Sequence, residues 1–492
     1  MVGLRPRAAD RARYRAAMLP LLLACQQTSS PAYVLLVPDE ADTATDPSHD
    51  EAWDDLVHYA QSEVDHDGIP GISFAVILDG ELAYAGAVGV AVKGSSIPLT
   101  PETVGRWNSV SKVHTALATM QLVDEGLLDL QAPIGDYVDV TVTGPYPGEL
   151  TLHQAMTHTT GLPDDWDGSC DTATSAHWAE PSEALLAEPG TLYNYSNTGW
   201  SLTGHVLEAV TGQDFVDLMQ ERVLTPAGMQ TATFDPAEIN AEYTIGYDSG
   251  SLYTPEFWDC AYLRPAGWLH ASTLDLAAMT EQLLANPDER MLEHHDTFWA
   301  SGSEAGYGLF SWDLQGVTAV SHGGAGVGHR SYLLMVPEQG FGVVVMSPTR
   351  HFASYTFAHR AATLFVDFPE DWKAPDLQTD ERSVWSGYEG LYEDNDGVGT
   401  VEIDYDTSYE RLYITFLDGS NSRRRLYQAG GDEFFYQLED EDVYVRLAAG
   451  RYVANRYWVA DKEASSGPPP ERERIVALEM LSGKPTAPGD ED

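Results

Sequence analysis

Lysine is scarce: Lys93, Lys112, Lys373, Lys462 and Lys484 are the only ones in 492 residues. With arginine, the basic residues number 27 against 76 acidic ones, a formal net charge of −49. Such a surface repels phosphate backbones, which excludes nucleic acid as a partner. The carboxylate excess, with arginine preferred to lysine, suits a surface kept soluble in concentrated salt, where screening removes self-repulsion. Cysteine is equally rare, three in all, so a disulfide scaffold is excluded. Apart from Cys25, Cys170 and Cys260 remain as a pair an exported protein can join, and nothing in their spacing decides whether they meet.

Apolar runs long enough to span a bilayer are also lacking. The run at residues 16–24 is short, follows Arg5, Arg7, Arg11, Arg13 and Arg15, and ends in Leu22-Leu23-Ala24-Cys25. A basic start, a short apolar stretch and a small residue at the cut describe a secretory signal over residues 1–24. Its last four residues resemble a bacterial lipobox. The resemblance implies that Cys25 is lipidated and that the exported protein is a lipoprotein of the cell envelope, anchored to the membrane by acyl chains. Removing five arginines and Asp10 takes the charge from −49 to −53.

What is present is a globular composition, 43% hydrophobic, in a chain with room for more than one domain. Residues 25–51 read as a linker rich in Thr, Ser, Pro and Asp, interrupted by an apolar patch at 33–37. A helical pattern from Trp53 leads into a strand at 71–78, an Asp79-Gly80 turn and a second strand at 82–91. Strands return at 331–336 and 341–346 around a Pro337-to-Gly340 turn, followed by a closing helix at 351–365. Strands at both ends with helices between them predict an α+β domain over residues 52–368, its antiparallel sheet built from both ends and a helical region inserted. A linker at 369–384 precedes an all-β segment at 385–481, read as a small barrel or sandwich, and residues 482–492 read as a disordered tail.

The chemistry concentrates around Ser109 and Lys112. Val110, Val113, Leu117 and Met120 recur at helical spacing, so Ser109 and Lys112, three apart, share a face. A serine hydroxyl becomes a nucleophile when an adjacent base takes its proton, and Lys112 is such a base if burial or a neighbouring cation lowers its pKa. Two further stretches complement the pair. In Tyr195-Ser196-Asn197, a phenol and an amide two residues apart on a loop can enter one cleft. In His322-Gly323-Gly324-Ala325, the glycines let a substrate lie against a strand edge.

In this order and at these separations the three stretches resemble the signatures of the serine β-lactamase and penicillin-binding-protein superfamily. The resemblance points to its class C β-lactamase-related branch of esterases, DD-peptidases and D-aminopeptidases. Residues 152–163 and 265–269 are similar as well, and the likeness spans about residues 52–370. It implies the β-lactamase/transpeptidase-like fold and an acyl-enzyme mechanism on a small-molecule or peptide substrate, with no metal or cofactor. Ser109 is then the nucleophile, while Lys112 and Tyr195 share proton transfer, either being the base. Asn197, His322, Gly323, Gly324 and Ala325 line the substrate site, and the Ser109 and Ala325 backbone N–H groups form the oxyanion hole. True class C β-lactamases have Lys-Thr-Gly where this chain has His322-Gly323-Gly324, which favours a peptidase or esterase. Arg330 is either a carboxylate anchor or an exposed strand residue. Residues 387–392 are similar to the opening of lipocalin-like β-domains.

A true β-lactamase or cell-wall DD-peptidase remains the second reading, and a non-catalytic binding protein on the same fold the third. Glu293-His294-His295-Asp296 has metal-ligand residue types but reads as a solvated loop. His153 and His158 read as structural, and Arg423-Arg424-Arg425 as a solvated strand edge. Oligomeric state is not readable from the sequence.

Overall fold

The structure is a computed structural model. It describes residues 34–36, 47–66, 68–140, 142, 146, 148–164, 185, 188–191, 193–248, 250–257, 259–292, 304–326, 328–369, 388–393, 400–406, 411–417, 423–430, 433–438, 441–448, 451–454 and 458–462. The signal-like stretch with Cys25, the metal-like cluster at 293–296, Cys170, the 370–384 part of the linker and the tail lie outside these.

The Asp79-Gly80 turn closes a hairpin between β2 (Gly71–Leu78) and β3 (Glu81–Gly89). Both turn residues have positive φ, 53° and 79°, the conformation that a type I′ turn demands and Asp-Gly tolerates. The two ends of the domain meet where β2 pairs antiparallel with β12 (Phe341–Ser347). Outward from β12 lie β11 (His329–Val336), β10 (Val317–Gly326), β9 (Phe310–Leu314) and β8 (Glu304–Ala305). On the other side β3 is followed by β1 (Val34–Leu36), giving an eight-stranded sheet. The apolar patch near residue 35 is thus a sheet strand, paired with Ala85, Gly86 and Ala87.

Buried side chains alternate between the two faces of this sheet. Phe74 and Val76 of β2, with Val343 and Val345 of β12, share one core with α1 (Pro47–His66) and a late helix over Ser354–Phe365. Ala75, Ile77, Val344 and Met346 share the other with the inserted helices. Each fully buried aliphatic or aromatic side chain stabilises by roughly 1.5–3 kcal/mol. The first helix starts at Pro47 rather than Trp53, so folded chain begins inside the stretch read as linker.

The inserted region holds α2 (Ser111–Asp124), α3 (Leu152–Met156), α4 (Asn197–Thr211), α5 (Phe215–Met219), α6 (Arg264–Gly267), α7 (Thr273–Ala285) and α8 (Glu289–Leu292); the Ser354–Phe365 helix is α9. One apolar stripe does not describe α2. Lys112, His114, Thr115 and Thr119 are as buried as Val113 and Met120, while Leu117 is among its less buried residues. The helix is surrounded, and Thr115 and Thr119 hydrogen-bond to main-chain carbonyls inside the core, as His114 does through Nδ1. Two short antiparallel pairs brace the region: β4 (Gly105–Arg106) with β7 (His270–Ala271), and β5 (Gly246–Asp248) with β6 (Ser251–Tyr253). Cys260 is buried and disulfide-bonded, its partner lying outside the described residues. No helix among the described residues is long and apolar enough to cross a membrane.

The C-terminal segment is a closed barrel of eight strands in sequential order: β13 (Gly390–Glu393), β14 (Thr400–Asp406), β15 (Arg411–Phe416), β16 (Arg423–Gly430), β17 (Glu433–Leu438), β18 (Glu441–Ala448), β19 (Arg451–Ala454) and β20 (Trp458–Lys462). Tyr392 and Glu393 of β13 close it against β20. This decides barrel against sandwich. Arg423, Arg424 and Arg425 lie at the start of β16, where they pair with Thr415, Ile414 and Tyr413 of β15; the pairing of β16 with β17 involves Tyr427, Gln428 and Gly430. The exposed Arg423 ion-pairs with Asp404 and lies 3.7 Å from the centre of the Tyr413 ring.

Candidate active site

Ser109 sits in a single 3-10 turn, Asn108–Val110, that leads directly into α2. Asn108 enters that turn with φ at 48°, a left-handed conformation that asparagine tolerates better than most residues. Its side chain holds the turn against the sheet, Nδ2 donating to the His329 carbonyl at 3.2 Å. Ser111 locks the other side: its hydroxyl donates to the Asn108 carbonyl at 2.6 Å and accepts the Leu269 N–H at 2.9 Å. Ser109 is half-buried and Ser111 wholly buried, so the two serines are not interchangeable.

One turn along, Lys112 is fully buried. Its Nζ donates to Asn197 Oδ1 at 2.6 Å and to the Ala266 carbonyl at 2.7 Å, and stands 4.9 Å from the centre of the Tyr195 ring. A buried amine requires such acceptors. Two distant segments supply them, residues 195–197 and Ala266.

Tyr195 and Asn197 straddle the start of α4. Ser196 is the N-cap, its hydroxyl accepting the Gly199 N–H at 3.2 Å, as serine does at helix starts. Only Tyr195 is therefore on a loop; Asn197 is the first helical residue. Two residues that sequence reasoning did not assign to the site fix this pair. Asp164 accepts the Asn197 backbone N–H at 2.7 Å through Oδ1 and the Asn197 amide Nδ2 at 3.2 Å through Oδ2. A carboxylate accepts only, so it turns the amide nitrogen toward itself and the amide oxygen toward Lys112. His158 stacks on the Tyr195 ring, centroids 4.2 Å apart and planes 20° from parallel, while its Nδ1 accepts the Ser196 N–H at 2.9 Å. His158 has φ at 60°, a strained placement held by its surroundings. The family-like stretch at 152–163 contains His158 and ends one residue short of Asp164, so that resemblance was the available signal.

The third motif lies on β10. Strand β9 covers β10 only as far as Ser321, opposite Phe310. From His322 to Gly326 the pairing among the described residues is with β11 alone, leaving an edge where a substrate backbone can add. The glycines have an internal reason as well. A Cβ on Gly324 would land on the Trp107 carbonyl and the Ser331 hydroxyl, and one on Gly326 on the Asn108 amide; β10 packs directly on the turn carrying Ser109. His322 is buried beside Phe310, ring centroids 5.3 Å apart, its Nδ1 donating to the Gly323 carbonyl at 2.7 Å. Arg330 Nε donates to the Arg350 carbonyl at 3.1 Å.

Comparison with known proteins gives the family. The family model described as beta-lactamase matches residues 56–367, well over half of the chain. The chain belongs to the beta-lactamase family. Its reaction class is that of the family's serine hydrolases, acyl transfer through a serine ester. A penicillin-binding protein 4 from Amycolatopsis lactamdurans is 29% identical over 305 residues, 55% of this chain and 79% of that protein. A D-aminopeptidase from Gluconobacter oxydans is 30% identical over 298 residues, 56% of this chain but only 55% of its own length. Among solved structures, the octameric penicillin-binding protein homologue from Pyrococcus abyssi superposes with a TM-score of 0.58 at 24% identity, over 83% of this chain and 100% of that one. That likeness speaks for the beta-lactamase fold.

Proposed function

We propose that this beta-lactamase-family protein hydrolyses an amide or ester of a small molecule or short peptide through an acyl-enzyme on Ser109. The observation that carries the reading is the convergence on Lys112 of Asn197, the Ala266 carbonyl and the Tyr195 ring, one helical turn from a half-buried serine. Ser109 Oγ attacks the carbonyl carbon. Lys112 and Tyr195 form the proton-transfer pair, taking the hydroxyl proton and passing it to the leaving group. The Ser109 and Ala325 N–H groups receive the oxyanion; loss of one such donor typically costs about 10²–10³ in turnover. Asn197 and the open stretch His322, Gly323, Gly324 and Ala325 hold the substrate, and water then cleaves the ester.

We favour a peptidase or esterase over a true β-lactamase. The chain has no Lys-Thr-Gly on β10, and its His322 side chain is buried instead of standing as a cation for a substrate carboxylate. Relatives named penicillin-binding protein 4 and D-aminopeptidase support the same preference. A panel of a D-amino-acid amide, a short-chain chromogenic ester and a chromogenic cephalosporin, assayed in high salt, decides. Amide or ester turnover with no cephalosporin hydrolysis upholds the preference; efficient cephalosporin hydrolysis transfers it to the β-lactamase reading.

Export and acyl anchoring at Cys25 belong to the same proposal, supported by the arginine-rich start and Leu22-Leu23-Ala24-Cys25. So does life in concentrated salt, supported by the net charge of −49.

A further inference from the structure

A cavity that Ser109 does not line lies where β4, β7 and β11 meet the chain following β6. Its buried lining includes Arg106, Thr244, His270 and His329, its half-buried lining Tyr253, and its exposed lining Thr254 and Phe257. No Asp or Glu lines it, in a chain where acidic residues outnumber basic ones 76 to 27. Arg106 has an unusual position. Its Nη2 donates to the Pro255 and Phe257 carbonyls at 2.7 and 3.3 Å, and its Nε points to His270 Nε2 at 3.4 Å. Among the described residues no carboxylate hydrogen-bonds to it. The one acidic group close enough to influence it, Asp259, is engaged by Arg264 at 2.8 and 3.4 Å. Burial pulls the Arg106 guanidinium down to about 10, which still leaves a full positive charge at neutral pH. Carbonyl dipoles satisfy its N–H groups but do not cancel a buried unit charge.

The surroundings add no negative charge. His270, accepting from Arg106, is held neutral: burial first, then Arg106 and His329, push its pKa well below the usual histidine value. Thr244 Oγ1 and His329 Nε2 are 2.7 Å apart. The free space is small, about that of a single bound water or small ion.

We propose that this cavity binds a small monovalent anion of halide size, with the Arg106 guanidinium as its counter-charge. Arg106 lies on β4 three residues before Ser109, and His329, whose carbonyl holds Asn108, lines the same cavity. An occupying anion therefore braces the turn that presents Ser109. The stability of the fold then depends on the identity of the anion, beyond general screening.

The test uses the full-length protein at one fixed high ionic strength, exchanging potassium chloride for potassium gluconate, whose anion is too large for the space. Chloride should raise the wild-type Tm on the order of 2–4 °C for each tenfold increase above saturation, and Arg106→Met should remove that increment. An equal increment in the variant, or none in the wild type, overturns the proposal. Because Arg106→Met can fail to fold, wild-type crystals grown in bromide supply the second measurement. An anomalous peak beside Arg106 upholds the site; water alone in the cavity overturns it. Neither measurement depends on Ser109 being the nucleophile.

Discussion

Replacing Asp164 by asparagine alters one atom's hydrogen-bonding character and should propagate to Lys112. In the wild type the carboxylate accepts the Asn197 N–H at 2.7 Å and Asn197 Nδ2 at 3.2 Å. Asparagine at 164 has one acceptor and one donor group. If its oxygen faces the Asn197 N–H, its NH2 faces the Asn197 NH2; the opposite rotamer sets its NH2 against the backbone donor. The Asn197 amide can relieve the first conflict by flipping, but it then turns its NH2 toward Lys112 Nζ and loses the 2.6 Å bond. Every arrangement forfeits one hydrogen bond to a charged group, about 1.5–3 kcal/mol. Taken by the folded state, the loss appears as lower stability. Taken by the site, it appears as a fall of about 10- to 150-fold in kcat/KM. Denaturant unfolding and ester kinetics on Asp164→Asn, run side by side, measure both. A variant within about 0.5 kcal/mol in stability and threefold in kcat/KM would refute the relay from Asp164 through Asn197 to Lys112.

Gly324→Ala should destabilise the domain by about 1–3 kcal/mol and lower kcat/KM, because its Cβ lands on the Trp107 carbonyl beside the Ser109 turn; a neutral result in thermal melts and kinetics would show that β10 has slack there. Ser111→Ala should cost about 1–3 kcal/mol in denaturant unfolding, since it strands the buried Leu269 N–H, yet leave active-site labelling intact. Acid should weaken the fold through histidines buried neutral: burial lowers both His114 and His359 to about 4. Between pH ~6.5 and ~4 the unfolded chain binds those protons and the folded chain does not, so stability is full above the unfolded value and falls as pH drops through that window. The ceiling is about 3 kcal/mol for each. Unfolding free energies that stay flat from pH 7 to pH 4 would contradict this sign.

The elements that read clearly in the sequence are those set by local rules. Asp79-Gly80 announces its hairpin because few residue pairs accept two positive φ values. Ser109 and Lys112 announce themselves because residues three apart share a helical face. Periodicity failed at α2, where it predicts one buried stripe: a helix enclosed on every side buries Lys112 and Thr119 along with Met120, and only tertiary packing decides that. Asp164 and His158 were not readable as site residues because nothing local joins them to Asn197 and Tyr195; the start of α4 brings them together. At Gly324 the sequence suggests room for a ligand, whereas the close neighbour is the chain's own backbone at Trp107.

The most direct test of the central claim is the intact mass of the protein after exposure to a fluorophosphonate, with Ser109→Ala and Ser111→Ala treated alongside in high salt. One adduct is expected on the wild type and on Ser111→Ala, localised to Ser109, and none on Ser109→Ala. An adduct that persists in Ser109→Ala, or equal loss in both variants, would contradict the assignment of Ser109 as the nucleophile.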